Sequence, residues 1–521
     1  MSTLALLDAF RALPTNAARK EALSALADEF SPYEWRQMQA LANARSFHFD
    51  IIGELPTELA FHVFSYLDIA TPFRLQTVSR RWCNVLRSAD LFKPRLRDWY
   101  DNTLDFEDAS YEDCFDKAQA IYRVQTGKFL EVSATRLLHE LYHSDSGVEG
   151  PNFERIRLVD DFLVDIPYPF RHLRVTNLRT GQYWIAHADG REVISSVAAS
   201  SQLIAFWTQH RQTCYVFDFT GTRKAKFRLP PFMSGIATCG ERTVICGGIT
   251  NGNIELYLWD LDSSSGKTLR LDQSLFNYHA LPDHCLAINL IPNPRSSTCT
   301  LFITRTCEAR WCGHQNQDLS IHYYNIAFDG QILQNNSFMI PLPGPAILAG
   351  ATITSIRPIN RKGGFLVKVF CRYDHDGHIA SFQFDADTQV CNIVEQLTRS
   401  SDHTKTACWE DSFYRAEEEI LERNAARISL LHWNTGGSNI SKDPLFVDER
   451  EDLALINSTH AGIVATQLLV NDRFVVMVAM EKTYVFSFAA EAKTTKADEF
   501  QVGEVQGERF VLRKVHPKAG S

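Results

Sequence analysis

The chain has 521 residues, of which 45% are hydrophobic and 22% are charged, as in an ordinary globular protein. This composition excludes a disordered chain, a collagen and a coiled-coil rod, and the length allows two to four domains. The 53 basic and 62 acidic side chains give a net charge of −9, which argues against nucleic-acid binding as the main task.

The sequence shows no sign of membrane insertion or secretion. It has no apolar run long enough to span a bilayer, and the first residues lack the basic region of a signal peptide. The 12 cysteines are scattered without framework spacing, so they are predicted to be free thiols in a reducing compartment. We therefore expect a protein of the cytosol or the nucleus that binds no membrane.

Residues 1–46 are predicted to form an N-terminal helical segment. Ser31-Pro32-Tyr33-Glu34 combines a capping serine, a proline suited to the first helical position and a glutamate that can reach back to the cap. A helix should begin there and run to about Ala44, with an inward face made of Trp35, Met38 and Leu41 or Ala42. We interpret the segment as a support that packs on its neighbour, and a homodimer contact is the alternative.

Three short helices are predicted between residues 50 and 100. Pro56 favours a helix start, and one face is then lined by Leu59, Val63, Phe64 and Leu67. Thr71-Pro72 repeats the signal before a second apolar face, made of Leu75, Val78, Trp82, Val85 and Leu86. The third helix carries Leu91, Leu96, Trp99 and Tyr100. Such a unit is too small to bury everything it exposes, so a partner is expected to complete it.

These helices carry a resemblance to a known family. Residues 50–59 (DIIGELPTEL), 63–68 (VFSYLD) and 78–82 (VSRRW) closely resemble an F-box, and residues 90–93 (DLFK) fit its end. F-box proteins bind the Skp-type adaptor of a cullin–RING ubiquitin ligase, while a separate domain captures the substrate. The resemblance implies adaptor contacts, in the helix-in-groove mode, at Leu55, Pro56, Leu59, Phe64, Leu67, Val78 and Trp82. Without it, the residues alone favour the internal core of a helical bundle.

From about residue 150 to 515 one phrase recurs: a hydrophobic strand that ends in Asp, Asn or Ser and leads into a turn. Its end markers are Asn177, Asp218, Asp260, Asn325, Asp385, Asn434 and Ser487, on average about 52 residues apart. A strand–turn repeat of this period indicates propeller blades of four strands, and seven markers indicate seven blades. Six or eight blades, or paired β-sandwiches, are the alternatives.

The repeat is similar to that of WD proteins, although Trp259-Asp260 is the only literal copy of their signature. We expect a terminal strand such as Phe510–Leu512 to close the ring on the first blade, because a closed ring leaves no free edge. The fold class is therefore multidomain: a small all-α N-terminal region with an F-box three-helix unit, then an all-β, seven-bladed propeller. The predicted domains are 1–46 (helical segment), 47–100 (F-box), 101–150 (acidic helical linker) and 151–515 (WD-like propeller).

The linker contains a run of acidic residues, interpreted as a solvated face or a flexible join. A helix from about Tyr111 to Val124 would make the join rigid. That matters because a ligase scaffold must hold its substrate at a fixed distance.

No residue pattern predicts catalysis or a cofactor. Zinc sites favour tight pairs, whereas Cys299, Cys307, Cys312, His314 and His322 are loosely spaced, so we interpret the cysteines as buried thiols. Asp374-His375-Asp376-Gly377-His378 is interpreted as a hairpin turn. Phosphate loops and nucleophile elbows are absent from the sequence.

The resemblance thus implies a non-catalytic substrate receptor of an SCF-type ubiquitin ligase. Its F-box would bind the Skp adaptor, and its propeller would bind an unknown target protein. The alternative is a propeller that acts as a scaffold or binds a small molecule outside a ligase. If the target were phosphorylated, arginines should converge on one rim, and the candidates are Arg305, Arg310, Arg372 and Arg473.

Overall fold

The structure is a computed structural model. It describes residues 3–44, 52, 55–67, 69, 71–100, 105–136, 155–167, 170–208, 212–230, 233–240, 242–250, 253–271, 289–293, 295–306, 318–341, 348–373, 376–397, 406–421, 425–434, 444–450, 467–478, 482–488, 500–506 and 509–512.

The N-terminal part of the chain is helical, as predicted. Its helices are α1 (Thr3–Arg11), α2 (Asn16–Asp28), α3 (Pro32–Ala44), α4 (Thr57–Phe64), α5 (Thr71–Leu75), α6 (Arg80–Leu86), α7 (Ala89–Trp99) and α8 (Tyr111–Thr126). The single helix predicted after Thr71-Pro72, with its apolar face reaching Leu86, is wrong, because the chain forms two helices there, α5 and α6. Ser79 is extended (φ −155°, ψ 164°) and its hydroxyl accepts the Trp82 amide at 3.1 Å, which starts a new helix. None of the described helices has the length and apolar character needed to cross a bilayer.

Helix α3 begins at the predicted capping box. The Ser31 amide donates to the Glu34 carboxylate at 2.8 Å, and the Ser31 hydroxyl accepts the Glu34 amide at 3.4 Å. The Ser31 hydroxyl and amide both donate to this carboxylate and lower the pKa of Glu34. The predicted inward face is wrong, because no residue of α3 is buried and all four of its members are exposed: Trp35, Met38, Leu41 and Ala42.

The chain divides into two compact units. One comprises residues 1–67 and 75–87, and the other comprises residues 68–74 and 88–521. The second unit therefore contains α7, from the predicted F-box segment, and also α8 and a strand from the predicted linker.

From residue 155 onward the described elements are strands, apart from one 3-10 turn at Asp189–Arg191. Five antiparallel sheets have four strands each, in chain order. Blade 1 contains β2 (Ile156–Val159), β3 (Phe162–Asp165), β4 (His172–Asn177) and β5 (Tyr183–His187). Blade 2 contains β6 (Ile194–Ala199), β7 (Leu203–Thr208), β8 (Thr213–Asp218) and β9 (Lys224–Arg228). Blade 3 contains β10 (Met233–Cys239), β11 (Thr243–Thr250), β12 (Asn253–Asp260) and β13 (Ser265–Leu271). Blade 4 contains β14 (Asn289–Asn293), β15 (Thr298–Thr306), β16 (Asp318–Ala327) and β17 (Ile332–Pro341). Blade 5 contains β18 (Leu348–Pro358), β19 (Gly364–Tyr373), β20 (Asp376–Asp385) and β21 (Cys391–Leu397).

The last two blades belong to a ten-stranded sheet. Blade 6 contains β22 (Thr406–Trp409), β23 (Ser412–Leu421), β24 (Ala425–Asn434) and β25 (Phe446–Arg450). Blade 7 contains β26 (Gln467–Val470), β27 (Phe474–Val478), β28 (Lys482–Ser487) and, as its outer strand, β1 (Glu131–Arg136). A hairpin of β29 (Phe500–Gln506) and β30 (Arg509–Leu512) joins the outer edges of the two blades. Seven blades are thus present, as predicted.

The ring is closed by a different strand from the one predicted. Strand β1 pairs with β28 along six residues, from Glu131 opposite Ser487 to Arg136 opposite Lys482. The expectation that Phe510–Leu512 closes the ring on blade 1 is wrong. Strand β30 pairs with β29, and Phe510 lies opposite Phe446 of blade 6. The terminal strand cannot complete blade 7 because β1, from the chain before the propeller, already occupies the outer edge of β28.

A hydrophobic cluster fills each boundary between neighbouring blades. For example, Leu158 and Leu163 of blade 1 pack with Leu469 and Val476 of blade 7, so that the first and last blades are in contact. The remaining boundaries are filled in the same way from blade 1 to blade 7. The core of the propeller is therefore a ring of inter-blade layers that are continuous around the central axis.

The repeated Asp, Asn or Ser occurs in the third strand of every blade. In blade 5 its side chain caps the following turn: the Asp385 carboxylate accepts the amides of Asp387 at 2.9 Å and Thr388 at 2.7 Å. Asn177 accepts the amides of Arg179 and Thr180 in the same way, and Asp260 accepts that of Ser263. In these three blades the repeat supplies a short side-chain acceptor at the turn between the third and fourth strands, whereas Oδ1 of Asn325 in blade 4 has no hydrogen-bond partner in the described structure.

The predicted linker helix is confirmed as α8, and it packs on the propeller. The Tyr414 hydroxyl of blade 6 donates to the Val124 carbonyl at 2.6 Å, and Arg123 donates to the Phe488 carbonyl at 3.1 Å. Gly127 ends the helix in the left-handed conformation (φ 66°), and the chain then enters β1. The join is therefore a rigid element of the second unit.

Ion pairs link the turns between the first and second strands, here called AB turns. Arg361 of blade 5 contacts Asp160 of blade 1 at 2.9 Å and Asp472 of blade 7 at 3.1 Å. Asp472 is almost fully buried, and burial opposes the charge of Arg361, but the two carboxylates outweigh this effect and raise the pKa of Arg361. The Tyr100 ring, just after α7, lies 5.5 Å from the same guanidinium. The end of α7 is therefore held at the AB-turn end of the propeller.

We expect Asp385→Ala to lower the free energy of unfolding by about 1 kcal/mol, because two turn amides lose their acceptor. Asp385→Asn keeps an acceptor oxygen at the same place and should retain most of the stability. Urea unfolding followed by tryptophan fluorescence measures both variants. Equal losses in the two variants would contradict the capping role.

We expect Arg361→Met to lower the free energy of unfolding by about 3 kcal/mol, because it leaves the buried Asp472 carboxylate without its cation. The double variant Arg361→Met/Asp472→Asn removes the uncompensated charge and should be more stable than the single variant. The measurement is a double-mutant cycle by urea unfolding. Strictly additive effects would show that the two side chains do not interact.

Candidate functional site

The helices of the first unit that follow residue 50 are held by one aromatic contact. Phe64 at the end of α4 meets Trp82 of α6 edge-to-face, with ring centroids 5.3 Å apart. Phe64 and Ala60 are buried, one helical turn apart on α4. Pro56, with φ −52°, precedes the first residue of α4 and sets the direction in which the helix starts. This pair fixes the relative position of α4 and α6.

The neighbouring face of α4 is apolar and exposed. Leu59 is 52% exposed and Val63 is 40% exposed on α4, and Tyr66, in the turn just after the helix, is 78% exposed. Val78, just before α6, is 56% exposed. We call Leu59, Val63, Tyr66 and Val78 the apolar stripe. Exposed apolar side chains of this kind in a small helical unit are typical of a surface that another protein covers.

The seven predicted adaptor contacts occupy three environments. Pro56, Leu59 and Val78 are exposed, and Leu55, Leu67 and Trp82 are partly buried. Phe64 is buried, so its side chain packs inside the unit and supports the stripe from beneath. Phe64 is therefore a core residue of the unit, and the adaptor contacts stay a prediction.

Two residues of the apolar stripe are missing from the predicted contacts. Val63 belongs to the predicted apolar face of α4 but not to the predicted contacts, and Tyr66 belongs to neither. Val63 follows from the helical period, since it lies four residues after Leu59 on α4, and spacing from an exposed leucine is the signal that could have identified it. Tyr66 lies beyond the last residue of α4, where helical spacing gives no signal, and it has a ring contact with His62 at 5.2 Å between centroids.

The structure describes only some residues of the candidate metal motif and of the candidate turn motif. Cys307, Cys312 and His314 lie outside the described residues, and Cys299 is a buried thiol. Within the described part of the chain, no group of three or more His, Cys, Asp or Glu residues could hold a metal ion. Strands β19 and β20 form a hairpin in which Tyr373 lies opposite Asp376, so the segment joins two paired strands as predicted. Asp374 and His375 lie outside the described residues, and the predicted turn signal Asp376-Gly377 belongs to β20.

The candidate arginines do not converge on one rim. Arg305 and Arg372 lie near the ends of β15 and β19 that are distant from the AB turns, opposite Ser320 and Gly377. Arg473 lies in the AB turn of blade 7, at the other end of the strands, and forms an ion pair with Asp161 at 2.6 Å. Arg310 lies outside the described residues. A phosphate site that combines Arg473 with Arg305 and Arg372 is therefore excluded.

Comparisons with known proteins agree with this description of the N-terminal region. The F-box-like family model matches residues 52–95, which include the apolar stripe and the Phe64–Trp82 contact. No curated protein matches the sequence.

Several solved structures are similar to the chain at low identity. The WD40 domain of SCAP from fission yeast is 9% identical with a TM-score of 0.32, over 65% of this chain and 95% of that chain. The β-propeller domain of the Trilobed protease from Pyrococcus furiosus is 10% identical with a TM-score of 0.35, over 70% and 98%. Hsv2 from Kluyveromyces lactis is 9% identical with a TM-score of 0.35, over 69% and 97%. The assignment of the propeller rests on the strand topology described above.

The family match and the strand topology together define the class of protein. The chain is an F-box plus β-propeller protein, with the F-box-like region at residues 52–95 and seven blades after it.

Proposed function

We propose that this protein is the substrate-recognition subunit of an SCF-type cullin–RING ubiquitin ligase. Its F-box binds the Skp-type adaptor, and its propeller binds a target protein. The observation that carries the proposal is the exposed apolar stripe inside the region that matches the F-box-like model.

The stripe has the form that helix-in-groove binding requires. Leu59 and Val63 lie on one side of α4, Tyr66 follows in the turn after it, and Val78 adds a fourth apolar side chain before the next helix. Phe64 and Trp82 stiffen the unit from within, so the stripe needs little rearrangement to bind. Burial of these side chains by a partner would supply the hydrophobic free energy that the small unit lacks by itself.

The propeller contributes position, and we propose no chemistry for it. A receptor that holds its target near a ubiquitin-charged enzyme raises the effective concentration of the acceptor lysine. A rigid body suits this task, and α7, α8 and β1 all pack within the propeller unit. We therefore propose that the protein is a non-catalytic receptor.

We also propose that it works in the cytosol or nucleus. The seven cysteines whose side chains the structure describes are free thiols, as expected in a reducing compartment. The homodimer contact through residues 1–46 and the identity of the target stay predictions.

We expect Leu59→Asp/Val78→Asp to weaken binding of the full chain to a Skp-type adaptor at least 30-fold, because charges replace apolar side chains at the contact. The measurement is the dissociation constant of the co-purified proteins by calorimetry. Leu55→Ala/Pro56→Ala should weaken binding too, since the resemblance places both residues in the contact.

Leu333→Asp is the matched control, because Leu333 is 51% exposed on the outer strand of blade 4, compared with 52% for Leu59. It should bind as tightly as the natural sequence. Wild-type affinity in Leu59→Asp/Val78→Asp would show that the stripe is not the contact. A folded wild-type chain that binds no adaptor would reject the ligase proposal.

A further inference from the structure

The outer strand of blade 2 carries a row of cations that the proposed function does not use. This strand, β9, has the sequence Lys-Ala-Lys-Phe-Arg, and its exposed side chains are Lys224, Lys226 and Arg228. Alternate residues of a strand share one face, so the three cations follow one another about 6.6 Å apart along the strand. On the opposite face Phe227 is buried and stacks on Trp259 of blade 3, with ring centroids 4.6 Å apart, which holds β9 in this orientation.

The other outer strands that end a sheet have no such row among the described residues. In blade 1, the exposed positions of β5 are Tyr183, Ile185 and His187. In blade 3, Lys267 and Arg270 of β13 are three residues apart and therefore lie on opposite faces. Strands β17 and β21, in blades 4 and 5, contain no lysine or arginine. The basic row is therefore a property of blade 2 and not of the repeat.

The backbone of the same three residues faces the open edge of the sheet. Strand β9 pairs with β8 without a shift of register and ends the sheet of blade 2. Beyond its two ends, the Arg223 carbonyl accepts the Asp218 amide at 3.2 Å, and the Leu229 amide donates to the Gln212 carbonyl at 2.6 Å. Backbone groups point alternately to the two sides of a strand, so the odd-numbered residues bond to β8. The three cations therefore direct their own amides and carbonyls to the open edge.

The charges of the row are largely uncompensated. Lys226 contacts Asp189, in the connection between blades 1 and 2, at 2.7 Å, and both side chains are more than half exposed. Lys224 and Arg228 form no ion pair with any residue that the structure describes. An exposed pair such as Lys226–Asp189 contributes little stability, so a carboxylate of a partner can take the place of Asp189. The row thus offers three positive charges to a partner, on a chain whose net charge is −9.

We propose that β9 binds an extended acidic segment of another protein, which adds to the open edge of blade 2 as a fifth strand. A segment with aspartate or glutamate at alternate positions matches the row, because its side chains have the same spacing and lie beside the cations. A second copy of β9 does not fit, since its own cations would face this row. The net negative charge of the chain disfavours nucleic acids and anionic membranes as the partner. The inference is independent of the ligase proposal.

The test is fluorescence anisotropy of the full chain with a fluorescein-labelled peptide in which glutamate alternates with threonine. We expect the natural chain to bind this peptide and Lys224→Glu/Arg228→Glu to weaken binding at least about tenfold, because like charges replace opposite charges across the edge. The matched control is Lys20→Glu/Arg36→Glu, which reverses one exposed lysine and one exposed arginine in the first unit. It changes the net charge by the same amount and should bind as the natural chain does.

A second labelled peptide separates strand addition from simple charge attraction. It has the same composition, but its glutamates are consecutive, so it keeps the charge and loses the alternate spacing. We expect it to bind the natural chain at least about fivefold more weakly than the alternating peptide. Equal affinity for the two peptides would overturn strand addition.

Three other outcomes would also overturn the proposal. They are no binding of the alternating peptide by the natural chain, undiminished binding by Lys224→Glu/Arg228→Glu, and tighter binding of a single-stranded oligonucleotide or of vesicles that contain an anionic phospholipid. If Lys224→Glu/Arg228→Glu does not fold, Lys224→Gln/Arg228→Gln replaces it, because it removes the charges without reversing them. Natural affinity in that variant would reject the site.

Discussion

The propeller depends on the pairing of β1 with β28. This ladder joins residues 131–136 to residues 482–487, at opposite ends of the domain, and completes the last blade with a strand from before the first. Without β1, blade 7 would have three strands and the outer edge of β28 would be unpaired. Because α8 leads directly into β1, the helical segment before the propeller is part of its closure.

Two kinds of interaction hold the blades of the closed ring together. Apolar layers fill every boundary between neighbouring blades, and they supply most of the buried area. Polar contacts act over longer distances: Arg361 joins blades 5, 7 and 1, and Arg357 spans from blade 5 to blade 7. Both arginines link blade 5 to blade 7, on either side of blade 6, and the cluster between blades 5 and 6 has only four buried members. Hydrophobic packing therefore holds neighbouring blades together, and arginine contacts link blades that are not neighbours.

The two units differ in how far they bury their apolar side chains. The propeller buries its strands in layers, whereas the first unit leaves Leu59, Val63 and Val78 exposed and buries no residue of α2 or α3. Exposed apolar surface has a cost in solubility unless a partner covers it. This contrast connects the packing to the proposed function, in which one part of the chain recruits an adaptor and the other captures a target.

Local patterns in the sequence were sufficient for much of the fold. The capping residues of α3, the helix at residues 111–126, the F-box-like segment and the turn acceptors Asn177, Asp260 and Asp385 all depend on contacts within a few residues, which spacing records directly. The apolar stripe was predictable in part, since helical spacing identifies Leu59 but does not tell an exposed face from the buried one at Phe64. Only the tertiary structure decided which strand closes the ring, and that Arg361 meets Asp160 while Arg357 meets Leu468. These partners are between 111 and 356 residues apart in the chain. Local periodicity carries no information about such contacts, because they exist only once the blades have closed into a ring.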